Sequence, residues 1–383
     1  MNLCNLEALV PQYVRQFEAY IPSPPDDELQ RMFGCPRLIR MNNNENPLGP
    51  PPAAAAFLKS FDPTLVSRYP SGDCRPLQAK LAEYLGVKPP QIILGNGANE
   101  VIAFVIKAFC EQGDNIVTAD RTFAVYEWIA RFSGVDARLA PLDDFGFDEE
   151  GLLARVDSRT KLVFICNPNN PTGTWWSKDR LIRFMERLGP NHIVVLDEAY
   201  AEFMNQPDYP DGIALMSRFP NLIVFRTFSK MYGLAGLRIG YLVGTEQVTD
   251  IVRKTAIVYS VNTLAQSAAL AALGDQTFIT ATRNLVQEGQ QMLAAQSAEL
   301  KLPLLTSDCN FAMIKLPFSD TLAYRLLMQQ GYMVRTMTGF RFPGWIRVSI
   351  AGREAMQGFC TALSRLIHSR TDQSLLAKTY GVY

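Results

Sequence analysis

Seven short apolar runs between residues 90 and 245 restrict what this chain can fold into more than any other feature. They are Gln91–Leu94, Asn115–Thr118, Ala137–Ala140, Lys161–Cys166, His192–Leu196, Leu222–Arg226 and Arg238–Val243, and segments of helical period separate them. A strand with one wet face alternates apolar and polar residues, whereas these runs are apolar on consecutive positions, as in strands buried on both faces. The helical segments supply the crossovers that parallel strands require. The expected class is α/β, with a mostly parallel seven-stranded sheet covered by helices. Such sheets bind ligands beyond the carboxyl ends of their strands, and the polar segments described below fall there.

A Pro-rich arm precedes this core. Its stretches Ile21-Pro-Ser-Pro-Pro25 and Asn46-Pro-Leu-Gly-Pro-Pro-Pro52 cannot be continuous helix, because proline lacks the amide donor and crowds the preceding turn. The arm is expected to wrap over a neighbour. After the core come helical periodicity at Phe278–Leu300, apolar runs at Phe311–Leu316 and Trp345–Ile350, and a helical segment near Arg353–Ile367, which read as a smaller α+β domain. The expected division is residues 1–50 as arm and part of the small domain, 51–272 as the large ligand-binding domain, and 273–383 as the C-terminal small domain.

Lys+Arg and Asp+Glu both number 37, so the formal net charge is +0. That balance leaves no basic footprint for nucleic acid or an anionic membrane, and no apolar stretch reaches the length of a bilayer span. A small molecule is the expected partner. The opening Met-Asn-Leu-Cys-Asn-Leu-Glu lacks the basic-then-apolar order of a signal peptide, so a cytoplasmic location is expected. The seven cysteines are scattered and never in C-x-x-C spacing, and they read as reduced and mostly buried. Only two histidines occur, His192 and His368. A zinc site or a serine–histidine triad needs imidazoles beside other ligating or nucleophilic groups, and His192 merely opens an apolar run. No metal is expected, and lysine becomes the candidate for moving protons.

One lysine stands out. In Arg226-Thr-Phe-Ser-Lys-Met-Tyr-Gly-Leu-Ala-Gly-Leu-Arg-Ile-Gly-Tyr241, Lys230 follows a strand end, beside the hydroxyls of Thr227 and Ser229, a glycine turn and the cation of Arg238. An amine whose pKa its surroundings can lower, next to a seat for a dianion, is what a covalently held aldehyde cofactor with a phosphate tail requires. Gly95-Asn-Gly-Ala-Asn-Glu-Val-Ile102 opens a helix directly after a strand, and the amides at such a start can seat a phosphate. An ordinary strand-to-helix turn would look the same. The segment lacks the third glycine of a dinucleotide fingerprint, which disfavours a nicotinamide enzyme.

Asn167-Pro-Asn-Asn-Pro-Thr-Gly173 fixes a rigid polar loop at another strand end, and Asn170 could donate to a ring hydroxyl or phenolate. Asp197-Glu-Ala-Tyr200 sets a carboxylate at the end of a buried run, where it could keep a pyridine nitrogen protonated, although a strand-end Asp also serves as a helix cap. Tyr126 could stack on a flat ring; Tyr69 and Tyr20 are weaker candidates, since most aromatics are core. Arg335 and Arg347 lie in otherwise apolar strands, and a buried guanidinium requires an anion: a substrate carboxylate, a phosphate, or an internal carboxylate.

In this order the segments resemble the fold-type I pyridoxal-phosphate aminotransferases, and within them most closely the histidinol-phosphate aminotransferase family. The resemblance runs from about Asn42 to the C-terminal helix. It rests on Asn44-Glu-Asn-Pro-Leu-Gly-Pro50, Arg68-Tyr-Pro70, Gly95-Asn-Gly97, Asn167–Gly173, Asp197–Tyr200, the Ser229-Lys230 segment, Ser260-Val-Asn262 and Trp345–Ile350. It implies amino transfer at Cα of an amino-acid-like substrate, with 2-oxoglutarate as acceptor. Lys230 is then the residue that holds the cofactor and shuttles the proton, Asp197 the partner of the pyridine nitrogen, and Asn170 with Tyr200 the pair on the ring oxygen. Ala98, Asn99, Thr227, Ser229 and Arg238 form the implied phosphate cup, and Tyr126 the implied stacking face. Tyr69 would reach the other subunit's cofactor, which implies a homodimer. Arg347 is similar to the arginine that grips a substrate carboxylate or, with Arg335 and Tyr20, a substrate phosphate; Asn46 belongs to the same substrate side.

Two departures from the family pattern bear on substrate and reaction. Arg121 stands where the family commonly has proline, and Ala351-Gly-Arg-Glu-Ala-Met356 replaces G-T-x-E-E-N. Relatives of this family also carry out β- or γ-elimination and ring closure on basic amino acids, which keeps a cyclase or lyase open as the alternative. A sensing domain of a transcription regulator would keep Lys230 but needs a DNA-binding module, for which the arm before Asn42 is too short and insufficiently basic.

Overall fold

The computed structural model describes residues 6–17 and 22–368. It divides into two compact units: one contains Gly49–Asn170 and Thr174–Ile279 with the described part of Met1–Pro22, the other Ser23–Leu48, Pro171–Gly173 and the described chain from Thr280 onward.

The first unit is built on a seven-stranded sheet. Its order is Ile92–Gly95, Gly240–Val243, Leu222–Thr227, Ile193–Asp197, Thr160–Cys166, Asn115–Ala119 and Asp136–Ala140. Every strand is parallel to the others except Gly240–Val243, which runs antiparallel between its two neighbours. The central strands are buried almost throughout, as consecutive apolar residues require: Leu162 to Ile165, Val194 to Leu196 and Leu222 to Phe225 all lie in the core. The reversed strand matters for the site. Its first residue, Gly240, pairs with both Gly95 and Thr227, so its amino end lies at the same edge as the carboxyl ends of the parallel strands.

All seven expected strands are present. The run at Arg238 begins as a strand only at Gly240, because Ala235–Leu237 is a short 3-10 turn and Arg238 closes it in the left-handed region at φ 55°. Helices punctuate the crossovers with recognisable caps. Ser177 accepts from the Arg180 amide at the start of Lys178–Leu188, and Asn262 accepts from the Ala265 amide at the start of Thr263–Ala272.

The second unit carries a five-stranded sheet in the order Ile39–Met41, Tyr332–Thr336, Trp345–Ser349, Phe311–Lys315 and Leu304–Leu305. The first pair is parallel and the others are antiparallel. The Pro-rich arm thus contributes the helix Asp26–Phe33 and the edge strand Ile39–Met41, which the sequence does not announce. Among the described residues no helix is long and apolar enough to cross a membrane. The described cysteines are all free, and five of the six are buried.

Candidate active site

In the first unit the polar segments that follow the strands meet at one edge of the sheet. Gly97, at φ 83°, turns the chain from Ile92–Gly95 into the helix Ala98–Phe109, whose buried residues Val101, Ile102, Val105 and Ile106 anchor it. The first amides of a helix have no acceptor within it, so this start presents N–H groups. Arg238 lies against it: a Cβ added to Gly97 would stand 2.5 Å from the Arg238 guanidinium, and one added to Gly240 would stand 2.8 Å from the Ala98 amide nitrogen. Two glycines therefore let the Arg238 guanidinium and the reversed strand pack closely against the helix N-terminus. Beside them Thr227 Oγ1 accepts from the Ser229 amide at 3.1 Å, and both side chains are buried.

Asp197 ends its strand with its carboxylate only 3 % exposed. Oδ1 accepts from the Ala199 amide at 3.0 Å, and Oδ2 accepts from the Tyr126 hydroxyl at 2.5 Å. Burial pushes the Asp197 carboxyl above the ordinary range, and these two donors oppose the shift. Tyr126 was expected to offer its face to a flat ring. It has no exposed surface; its ring stacks on Phe164 with centroids 4.8 Å apart and planes 18° from parallel, and its hydroxyl serves Asp197. The physical reason is that a buried carboxylate at a strand end demands donors, and a tyrosine on the helix that follows Asn115–Ala119, two strands away in the sheet, reaches it. Burial, and then the Asp197 charge, lift the Tyr126 phenol well above its usual range, so it acts as a donor.

Lys230 follows the adjacent strand Leu222–Thr227 and is half-buried, with Nζ 5.9 Å from the centre of the Tyr200 ring. Tyr200 is itself buried. Asn170, 8 % exposed, closes the segment that enters through the cis bond Asn167-Pro168. Arg121, the departure from proline, places its guanidinium on Asp120 at 3.2 Å and on the Leu142 carbonyl at 3.3 Å. Tyr69 is 85 % exposed and stacked on Tyr259, with centroids 5.0 Å apart.

The second unit organises the remaining candidates by itself. Arg335 and Arg347 are direct cross-strand partners. Like charges in that relation repel, which makes an anion the natural third member. Arg347 is buried, donates to the Asn42 carbonyl at 2.7 Å and lies over the Phe311 ring; Arg335 lies over Phe340. Asn46 donates to Thr282 Oγ1 at 3.2 Å and accepts from the Leu48 amide at 3.0 Å. In the other departure, Met356 is buried and its sulfur accepts from the Ala351 amide at 3.3 Å. Tyr20 lies outside the described residues.

Sequence reasoning passed over two features here. Glu198 is fully buried and receives Arg226 through Nε at 2.9 Å and Nη2 at 2.7 Å, while its other oxygen accepts from the Gly212 amide at 3.1 Å. The signal available was an arginine inside an apolar strand, the same one that marked Arg335 and Arg347. The second feature is the contact between Thr122 and Asn169, at 2.7 Å.

Comparison with known proteins places the chain in a family. The family model for aminotransferase class I and II matches residues 36–363. Histidinol-phosphate aminotransferase 2 of Pseudomonas fluorescens is 37% identical over 362 residues, covering 94% of this chain and 98% of that protein. The enzyme of the same name from Methylococcus capsulatus is 39% identical over 360 residues, covering 92% and 97% respectively. Among solved structures, histidinol-phosphate aminotransferase from Sinorhizobium meliloti in complex with pyridoxal-5'-phosphate superposes with a TM-score of 0.84 at 28% identity, covering 94% of this chain and 98% of that one.

Proposed function

The chain belongs to the class I and II aminotransferases, and we propose that it moves an amino group from histidinol phosphate to 2-oxoglutarate as a step of histidine biosynthesis. Its cofactor is pyridoxal phosphate. The observation behind this reading is one placement. Asp197 closes a strand, and Lys230 stands just past the end of the parallel strand beside it, whose Phe225 is the register partner of Asp197. A pyridine aldehyde needs a carboxylate at its nitrogen and an amine at its carbonyl carbon, and adjacent strand ends can supply both.

The residues suit the group. Burial penalises the ionised Asp197, and a protonated ring nitrogen alongside would remove that penalty. The approach of Gly97 and Gly240 to Arg238 and the Ala98 amide leaves a dianion seat that no Cβ intrudes upon. Lys230, Asp197, Asn170 and Tyr200 would hold the ring; Ala98, Asn99, Thr227, Ser229 and Arg238 would hold the phosphate; and Tyr126 would act through Asp197. When bound, the cofactor supplies a sink for the electron pair left at the substrate Cα.

The protein's own groups do the rest. Lys230 Nζ would take the substrate's Cα proton and return it. Asp197 would hold its charge at the ring nitrogen, and Asn170 and Tyr200 would donate toward the ring oxygen. Arg335 and Arg347, already opposed across two strands, would receive the phosphate of one substrate and a carboxylate of the other in turn, since a guanidinium fork matches both anions. Asn46 and Tyr20 would complete that side.

The active unit in this reading is a homodimer, with Tyr69 acting at the partner subunit's cofactor. In support, Tyr69 is far more exposed than an aromatic of its size usually is, and Val66, Ile257 and Val258 are likewise exposed. The free state of the described cysteines agrees with a reducing compartment, and the cytoplasm is the proposed location.

The test is a half-reaction. Supplied with histidinol phosphate and no oxo-acid, the enzyme is expected to release one equivalent of oxo product per site and stop, with continuous turnover returning when 2-oxoglutarate is added. Sustained product formation without an acceptor would overturn amino transfer in favour of elimination or ring closure. Lys230→Ala is expected to bind cofactor, to yield no borohydride-fixed adduct and to show no turnover.

A further inference from the structure

We propose that Thr122 and Asn169 form a clamp that positions Asn170, so that two residues remote from the reacting atoms set the hydrogen bond made to the cofactor ring. This rests on the reading of Asn170 as a cofactor ligand.

The loop Asn167–Gly173 carries three asparagines, and the side chains of two of them are engaged by other protein groups. Asn167 accepts from the Trp176 amide through Oδ1 at 2.7 Å and donates to the Trp176 carbonyl through Nδ2 at 3.3 Å. Asn169 has no solvent exposure; its amide donates to the Thr174 carbonyl at 2.7 Å, its Nδ2 donates to the Arg121 carbonyl at 3.2 Å, and its Oδ1 lies 2.7 Å from Thr122 Oγ1. A carbonyl can only accept, so the Arg121 carbonyl fixes which end of the carboxamide is NH₂. The Asn169 oxygen must then face Thr122, and the Thr122 hydroxyl must be the donor.

Thr122 is buried and sits on the turn between the strand Asn115–Ala119 and the helix Val125–Phe132 that carries Tyr126. The strands feeding the two loops are neighbours in the sheet. The clamp therefore ties the Tyr126 side of the site to the Asn170 side, across a separation of 47 residues in sequence. Asn170 is peptide-bonded to Asn169, so losing the donor at Thr122 loosens the residue immediately before the ligand. The Arg121 side chain points to Asp120 and Leu142; its contribution to the clamp is its backbone carbonyl.

The experiment compares Thr122→Val, Thr122→Ser and Asn170→Ala in the full-length holoenzyme. Two readouts are used: the dissociation constant for pyridoxal phosphate, and the pH midpoint of the bound cofactor's visible absorbance, which responds to the donor on the ring oxygen and not to a merely looser fold. Thr122→Val keeps the shape and loses the donor. Its cofactor affinity is expected to fall by up to about tenfold, the worth of the one Asn170 hydrogen bond it positions, with the midpoint moving in the same direction as in Asn170→Ala. Thr122→Ser restores both, and Thr122→Val adds little to Asn170→Ala in the double variant, because the two act on one contact. Should Thr122→Val not fold, Thr122→Ala removes the same donor. A Thr122 variant with wild-type affinity and midpoint, beside an Asn170→Ala that shifts both, overturns the clamp alone. An Asn170→Ala that shifts neither overturns the reading of Asn170 and the clamp with it.

Discussion

The Tyr126 hydroxyl donates to Asp197 Oδ2 at 2.5 Å, with both side chains closed off from solvent. The bond joins the helix after one strand to the end of another, and it answers the demand of a carboxylate that burial has made expensive to ionise. Tyr126→Phe retains the stack on Phe164 and deletes the donor. The cofactor-free variant is expected to be less stable than wild type by about 1–3 kcal/mol at neutral pH, the range for a hydrogen bond to a charged buried group. Urea unfolding checks this, and an unchanged midpoint would mean the bond contributes nothing.

Asp197 itself should show the opposite sign. Its folded pKa lies above the ordinary value of 3.8, chiefly through burial. A carboxyl with a raised pKa binds protons more tightly in the folded state, so it loses stability as pH rises from that value through the folded pKa, and the loss is complete above it. Asp197→Asn removes the titration; its oxygen can keep the Ala199 amide while its NH₂ donates to the Tyr126 hydroxyl oxygen, so both contacts survive with one reversed. The cofactor-free variant is therefore expected to melt higher than wild type at pH 7, with the gap narrowing as pH falls toward 4. The same change should weaken cofactor binding, because the ring nitrogen loses its anion. A cofactor-free variant that melts lower at pH 7 would contradict the sign.

How much of this could be read beforehand follows from what each residue depends on. The placement of Lys230 and Asp197 at strand ends is legible because consecutive apolar residues mark a parallel strand, and the polar residues after it fall at the edge where such sheets bind ligands. The edge strand Ile39–Met41 was not visible, being three residues whose only strand character is the parallel pairing with Tyr332 to Val334. The bend at Arg238 is hidden for a similar reason: Leu-Arg-Ile-Gly reads as extended chain, whereas Arg238 closes the 3-10 turn Ala235–Leu237 in the left-handed region. The sequence marks Tyr126 as an aromatic face, whereas the structure sets its ring on Phe164 and its hydroxyl on Asp197, a choice that depends on a neighbour distant in sequence. Partners as far apart in sequence as Thr122 and Asn169 leave no local signal at all.

The buried ion pair of Glu198 and Arg226 gives a third expectation. Two guanidinium nitrogens donate to one oxygen, Oε2, and the Gly212 amide donates to the other. Breaking such a pair from one side leaves an uncompensated charge, which costs about 3–5 kcal/mol, whereas replacing both ends with apolar groups of similar volume often costs far less. Glu198→Ala is expected to fall in that range by chemical denaturation, and Glu198→Met with Arg226→Met to recover most of the loss. A double variant as unstable as the single one would show that packing, not charge, governs the site.

Gly240→Ala tests the phosphate seat through space alone. Its added Cβ would stand 2.8 Å from the Ala98 amide nitrogen, 3.1 Å from the Gly97 carbonyl carbon and 3.2 Å from the Arg226 carbonyl oxygen, all backbone atoms that cannot swing aside. The helix start and the reversed strand must separate, which moves the Ala98 and Asn99 amides away from Arg238. The expected result is a loss of about 1–3 kcal/mol in stability, typical of overpacking a close-packed site. A weaker hold on both pyridoxal phosphate and inorganic phosphate, measured by titration, should accompany it. Gly236→Ala is the matched control, since a Cβ there meets nothing within 4 Å, and it should behave as wild type. If Gly240→Ala binds phosphate normally while losing stability, the glycine serves the sheet and the anion seat lies elsewhere.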